Sequence, residues 1–275
     1  MVDNASTDDT PQVVDSFQGR LPVSRLAHDQ PGLSLARNVV LEQALQQDPA
    51  GRLIFVDDDV TTPPGWLNAY QAGFDRYPDA AFWGGPIRSV VSGGDPWVIE
   101  TVKTVMPGVL SHLQPDLGEQ PLETAKLGIP WGANFALRLS AVGSLRFDPT
   151  LGRSPERPFA IGEETTMVAS LTDAGYYGAW LPAVELLHHV SGERCDRDAF
   201  SRYCYQVGYY FGRRDASNGG PAPDALRARM RSLYRQAAYW ALRPGVRRAR
   251  QWEALRDWMY ESGYCAGVRT YAGKH

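Results

Sequence analysis

The sequence predicts an α/β fold: a mixed sheet, at least partly parallel, flanked by helices and followed by a helical C-terminal extension. Three observations carry this. Up to about residue 90, short apolar runs of strand length alternate with stretches of helical periodicity. The apolar run Leu53-Ile54-Phe55-Val56 ends in Asp57-Asp58-Asp59, a carboxylate cluster at the carboxyl end of a strand. Sites in α/β sheets lie at such strand ends. Beyond Val190 the pattern is helical, so the chain divides into residues 1–190 and an extension, 191–275.

The elements follow in order. Thr10 to Phe17 reads as a short helix, with Asp8-Asp9-Thr10-Pro11 supplying its cap and first turn. Leu21 to Leu26 reads as a strand. Leu33 to Gln46 is a helix, because Leu35, Val39, Leu41 and Leu45 recur near helical spacing. The Asp-ended strand comes next. Pro63-Pro64 then opens a helix from Trp66 to Tyr77, and Ala80 to Phe82 leads a strand into Trp83-Gly84-Gly85-Pro86. Between Ser92 and Gly128, Gly and Pro interrupt an amphipathic piece, Trp97 to Val105, as expected of an insertion over a site. Val184 to Leu187 is a late strand running into His188-His189. Helices are expected over Arg197 to Arg213, Asp224 to Leu242 and Val246 to Tyr260, separated by Gly/Pro-containing breaks.

Composition sets the outer bounds. The 275 residues suffice for one large or two modest domains. No stretch reaches the roughly 18 apolar residues that span a bilayer, and the polar start lacks a secretory signal pattern. Cys195, Cys204 and Cys265 are odd in number and lack metal-ligand spacing, so reduced thiols and a cytoplasmic location are expected. The net charge of −3 hides an asymmetry: beyond Val190 there are 16 Lys+Arg against 8 Asp+Glu, before it 12 against 23. The basic, aromatic-rich tail is a candidate surface for anions, including the inner face of a membrane. No nucleic-acid module is recognisable, and no nucleic-acid partner is expected.

Three adjacent carboxylates repel one another, and burying them costs more unless a cation offsets the charge. Alternation along an extended backbone would put Asp57 and Asp59 on one side and Asp58 on the other. Asp57 and Asp59 would then converge on a hard, oxygen-binding ion, Mg or Mn. The alternative is a solvated strand-to-loop corner.

Several segments, in order, carry a resemblance. Val2-Asp3-Asn4-Ala5-Ser6-Thr7-Asp8, Gly32-Leu33-Ser34-Leu35-Ala36-Arg37-Asn38, Asp57-Asp58-Asp59, Trp131-Gly132-Ala133-Asn134, Gly162-Glu163-Glu164 and Trp180-Leu181-Pro182 leading to His188 resemble the motif series of family 2 glycosyltransferases of the GT-A fold. The resemblance spans roughly residues 2 to 190. It implies a GT-A-like domain that moves a sugar, with inversion, from a nucleoside-diphosphate donor to a hydroxyl acceptor such as a polysaccharide or lipid-linked glycan. It also implies dependence on Mn or Mg.

Residue roles follow from the same resemblance. Asp59 would be the direct metal ligand, with Asp57 beside it and nearer the ribose, Asp58 adjoining the donor, and His188 completing the metal or diphosphate site. Asp3 would approach the nucleoside and Arg37 the base or diphosphate. Glu164 would be the general base, where the family normally carries Asp, and Glu163 an orienting acid or substitute base. Trp131 and Asn134 would face the acceptor, whereas Trp83, Trp97 and Trp180 are assigned to packing.

Structural alternatives stand beside each role. Asp3 suits a turn that bonds local backbone, and Arg37 a helix-face ion pair. Glu163 and Glu164 suit a helix N-terminus. His188 and His189 suit backbone-satisfied positions, with alternation favouring His188 as the ligand. His28, His112 and His275 read as surface residues. The family's first strand, with its Pro-Thr-Tyr-Asn-like end, has no counterpart. The expectation is a native start upstream by on the order of 30–40 residues, one strand–helix–strand unit. A non-catalytic nucleotide- or glycan-binding remnant is the main alternative function. A carboxylate–metal nucleotidyltransferase or phosphotransferase would use the same Asp cluster.

Overall fold

The computed structural model describes residues 1–122, 130–220, 231 and 248–272. Two compact units emerge: Met1–Ile87, Gln114–Pro158 and Gly162–Leu186 form the first, and Arg88–Leu113, Phe159–Ile161 and the chain from Leu187 onward form the second.

In the first unit, β1 (Val2–Asn4) pairs in parallel with β2 (Leu26–His28), with α1 (Thr10–Asp15) between them in sequence. Strand β2 lies later than Leu21 to Leu26, because Pro22 and the turn around Gly19 occupy the earlier residues. Helix α2 (Leu33–Gln47) matches its predicted span. It leads into β3 (Arg52–Val56), followed by β4 (Val60–Thr61), α3 (Trp66–Arg76) and β5 (Phe82–Gly84).

The main sheet adds three strands, β7 (Gln120–Leu122), β8 (Asn134–Arg138) and β9 (Gly178–Trp180), in the order β3-β8-β5-β9-β7. Between β8 and β9 come α5 (Leu139–Val142) and α6 (Glu163–Asp173). Strand β8 runs antiparallel to both β3 and β5, β5 is parallel to β9, and β7 is antiparallel to β9. The sheet is thus mixed, with β3 on its edge. Phe55 and Phe135 are register partners, and their rings stack at 4.9 Å with Phe147 edge-on to both. Tyr70, Phe74 and Trp83 continue the aromatic core. Burying each such ring contributes roughly 1.5–3 kcal/mol.

The second unit holds β6 (Ile87–Ser92, its first residue in the first unit), α4 (Pro96–Val105), β10 (Leu186–Ser191, beginning in the first unit), α7 (Arg197–Ser217) and α8 (Arg248–Ala272). Its core gathers Ile99, Val102, Leu110, Phe200 and Cys204, against which Trp252 packs. Helices α7 and α8 meet through glycines. A Cβ on Gly208 would come within 1.8 Å of the Tyr260 carbonyl, and one on Gly263 within 1.9 Å of the Tyr205 carbonyl. The three cysteines are buried and form no disulfide. Among the described residues no helix is long and apolar enough to cross a membrane.

Several expectations change. The late strand does not stop before the histidines; both lie inside β10. The segment Trp131–Asn134 runs into strand β8, of which Asn134 is the first residue. His112 is no surface residue: its Nδ1 accepts from the Ser89 backbone N–H at 3.3 Å and lies 3.1 Å from the Ser89 hydroxyl. His28 is half-buried on β2. The helix expected over Asp224 to Leu242, and His275, lie outside the described residues.

Candidate active site

The site is built around the first turns of two helices. Gly32, at the entrance of α2, has φ +155°, where glycine has no Cβ to obstruct the backbone. Its N–H donates to Asn4 Oδ1 at 2.7 Å, tying the helix start to the end of β1. The Leu33 N–H donates to the Arg153 carbonyl and the Ser34 hydroxyl to the Leu151 carbonyl, at 2.9 and 2.8 Å. Asn38 exchanges two 2.8 Å hydrogen bonds with the Phe147 backbone. Ser34, Arg37 and Leu41 form the buried face of α2.

Arg37 points inward, with 6% of its side chain exposed. Its guanidinium lies 5.8–6.0 Å from the ring centroids of Phe55, Phe135 and Phe147. Nη1 donates to Glu163 Oε1 at 2.7 Å and lies 3.9 Å from Glu164 Oε2, while Nη2 is 3.9 Å from Asp57 Oδ1.

Glu163 and Glu164 occupy the first turn of α6, which Gly162 enters at φ +102°. A helix N-terminus favours negative charge. Glu163 is nevertheless buried and Glu164 half-buried, and the Oε2 atom of each has no hydrogen-bond partner among the described residues. Burial, reinforced by the neighbouring Glu163 carboxylate and opposed by Arg37, pushes the Glu164 carboxyl up to about 8. A shift of this size marks functional-site candidates.

The acidic triplet sits beyond the end of β3, in the turn before β4, not on an extended strand. Alternation therefore does not explain its geometry, yet Asp57 and Asp59 still bring a carboxylate oxygen each within 4.8 Å of the other. Asp58 is exposed. Two hard anionic oxygens converging in this way fit a divalent ion of the Mg or Mn type.

The remaining expected residues are more scattered. Asp3 is buried and accepts from the Ser6 N–H at 3.1 Å and from Arg25 at 3.4 Å. Hydrogen bonds from Ser6, then Arg25, hold its carboxyl below the usual range. His188 belongs to the second unit and lies on the buried side of β10, alternating with exposed His189. Trp131 is half-buried. Asn134 is fully buried with its amide engaged: Oδ1 accepts from the Tyr70 hydroxyl at 2.9 Å, and Nδ2 donates to the carbonyls of Pro86 and Val184. The structure thus brings together Arg37, Asp57, Glu163 and Glu164, with Asp59 beside Asp57.

Sequence reasoning assigned no role to Ser34, Asn38 or Phe147, which hold α2 and its arginine. The available signal was polar Ser34, Arg37 and Asn38, three and four positions apart, beside Leu41 on α2.

Comparison with known proteins places this geometry. A family model described as "Glycosyl transferase family 2" matches residues 1–146. The N-acetylglucosaminyl-diphospho-decaprenol L-rhamnosyltransferases of two Mycobacterium tuberculosis strains are 26% identical over 211 residues, which cover 69% of this chain and 65% of theirs. The chain thus spans less than two thirds of the length of these relatives. Among solved structures, a mannosyltransferase from Pyrobaculum calidifontis in complex with GDP-Man and Mn2+ aligns with a TM-score of 0.51 and 17% identity. That alignment covers 95% of this chain and 75% of that one.

Proposed function

The chain belongs to glycosyl transferase family 2, and from this we propose that it transfers a sugar from a nucleoside-diphosphate donor to a hydroxyl acceptor, with inversion. The observation that carries the reading is the convergence, in one unit, of a buried acid pair, a guanidinium and the Asp57–Asp59 carboxylates. The fold is GT-A-like.

Asp57 and Asp59 would hold a divalent ion. When bound, the ion neutralises the diphosphate leaving group. Asp58 and Asp3 lie on the proposed donor side. Asp3's existing bonds to Ser6 and Arg25 suit it to shaping that wall.

Glu164 takes the proton of the acceptor hydroxyl. Its raised pKa makes it a strong base near neutrality, provided the proton it holds below about 8 has left. General-base catalysis of this kind contributes roughly 10²–10⁴-fold. Glu163, bound to Arg37, orients its neighbour. Trp131 is proposed to contact the acceptor, while Asn134, with its amide engaged, supports that segment from behind.

A lipid-linked acceptor is supported by the name of the mycobacterial relatives, which specifies a diphospho-decaprenol-linked sugar. The basic character beyond Val190 supports peripheral attachment to an anionic membrane. Sedimentation with anionic vesicles at low salt tests that attachment; protein left wholly in the supernatant argues against it.

The donor site is tested by thermal unfolding with UDP-, GDP- and dTDP-sugars, with and without Mn2+. The reading expects stabilisation by one donor that needs the metal and is lost in Asp59→Asn. Stabilisation that ignores both metal and mutation contradicts it.

A further inference from the structure

Arg37 is a buried cation, and such a charge persists only when paired. Its partners come from two separate elements: Glu163 and Glu164 from the first turn of α6, and Asp57 from the turn after β3. The enclosure is completed by apolar groups. Three phenylalanine rings surround the guanidinium, and the Trp131–Asn134 segment covers it at Gly132. A Cβ at position 132 would stand 2.1 Å from Nη2 and 2.8 Å from Cζ, so only glycine leaves the arginine its place. Gly152, at φ +77°, packs against both Ser34 and Glu163: a Cβ there would lie 2.9 Å from the Ser34 hydroxyl oxygen and 3.3 Å from the Glu163 carboxyl carbon. The arginine is built into the wall and leaves little of itself for a ligand.

We propose that Arg37 is a positioning residue: one guanidinium clamps Glu163 by a charged hydrogen bond and fixes the placement of Glu164 relative to Asp57. The acceptor-side base and the donor-side carboxylate thereby share one rigid reference. This rests on the reading of Glu164 as the base, and it differs from a direct donor contact. Glu163 spends Oε1 on Arg37. The Oε2 atoms of both glutamates are themselves buried and have no hydrogen-bond partner among the described residues, so the Arg37 bond to Glu163 Oε1 is the charged contact that holds the pair. A lysine would keep the charge at position 37 but lose the planar fork that spans these carboxylates.

The test compares turnover with donor affinity in Arg37→Lys, Arg37→Ala and Glu163→Gln. Binding is measured by calorimetry with the Mn2+ complexes of UDP, GDP and dTDP, and turnover by release of nucleoside diphosphate. Arg37→Lys is expected to lower kcat by about 10²-fold, as misplacement of reacting groups does, with donor KM and nucleotide affinity within about twofold of wild type. Added guanidinium should restore part of the turnover of Arg37→Ala. Glu163→Gln, which keeps the arginine and suits the case where position 37 cannot be changed without unfolding, should show the same loss in kcat alone. Nucleotide affinity falling tenfold or more at unchanged kcat would overturn the proposal in favour of donor contact. Unchanged kcat in both Arg37→Lys and Glu163→Gln would also overturn it. Wild-type turnover in Glu164→Gln would instead sink the base assignment, whatever the arginine variants do.

Discussion

Glu164 is the residue on which pH should act most visibly. With its carboxyl raised to about 8, the proposed base would be protonated, and so idle, at lower pH. A profile of kcat/KM is therefore expected to climb through about pH 8 to a plateau, and a flat profile from pH 6 to 9 would contradict this. The same shift has a stability sign. A carboxyl whose folded pKa exceeds its ordinary 4.5 favours folding fully below 4.5, and that contribution is lost as pH rises through about 8. Glu164→Gln should thus gain on the order of 1–3 kcal/mol over wild type at pH 9 and little at pH 5, read from denaturant melts. Gly132→Ala should push Nη2 of Arg37 out of place and lower kcat at least tenfold, while nucleotide binding persists. Some of this was legible in the sequence. Asp57, Asp59, Glu163 and Glu164 announce themselves as adjacent acids beside apolar runs, a costly arrangement without a role. The inward turn of Arg37 was not legible, because a motif fixes neighbours in sequence but not the side from which a helix is packed. The engagement of Asn134 depends on Tyr70, Pro86 and Val184, all about 50 or more positions away.

At the scale of elements, long periodic pieces were readable and short buried ones were not. Helix α2 declared itself through repeating leucines and valines, and β3 through its unbroken apolar run. Strands β5 and β9 are three residues each and buried on both faces; β5 was foreseen only through its lead-in, Ala80 to Phe82, and β9 offers neither alternation nor length. Strand β8 is buried over four of its five residues and follows a Gly-containing segment that reads as a loop. Helix α8 outruns its expected end at Tyr260 by a dozen residues, because Gly263 and Gly267, ordinarily helix-weakening, here admit the backbone of α7. Close packing through Gly208 and Gly263 leaves no room for a side chain. Gly263→Val should destabilise the second unit by about 1–3 kcal/mol or more, seen as a lower denaturant midpoint. An unchanged midpoint would mean that the α7–α8 contact is looser than described.

At the scale of the whole molecule, the proposed chemistry is concentrated in the first unit, which also holds most of the family match over residues 1–146, all but Arg88–Leu113. The mixed sheet, the acid cluster beyond β3 and the acid pair opening α6 were all foreseeable as parts. What the sequence could not show was their junction, since Arg37 joins residues more than 120 positions apart. The charge asymmetry of the chain sets an acidic first part against a basic remainder. The most direct measurement is nucleoside-diphosphate release from UDP-, GDP- and dTDP-sugars in the presence of a glycan or lipid-linked acceptor, with Mn2+ or EDTA, for wild type and Glu164→Gln. The proposed base mechanism predicts release from one donor, abolished by EDTA and reduced at least 10²-fold in Glu164→Gln, while that variant still binds the donor. Release that survives both EDTA and the substitution, or pyrophosphate or phosphate in place of an intact nucleoside diphosphate, would contradict it.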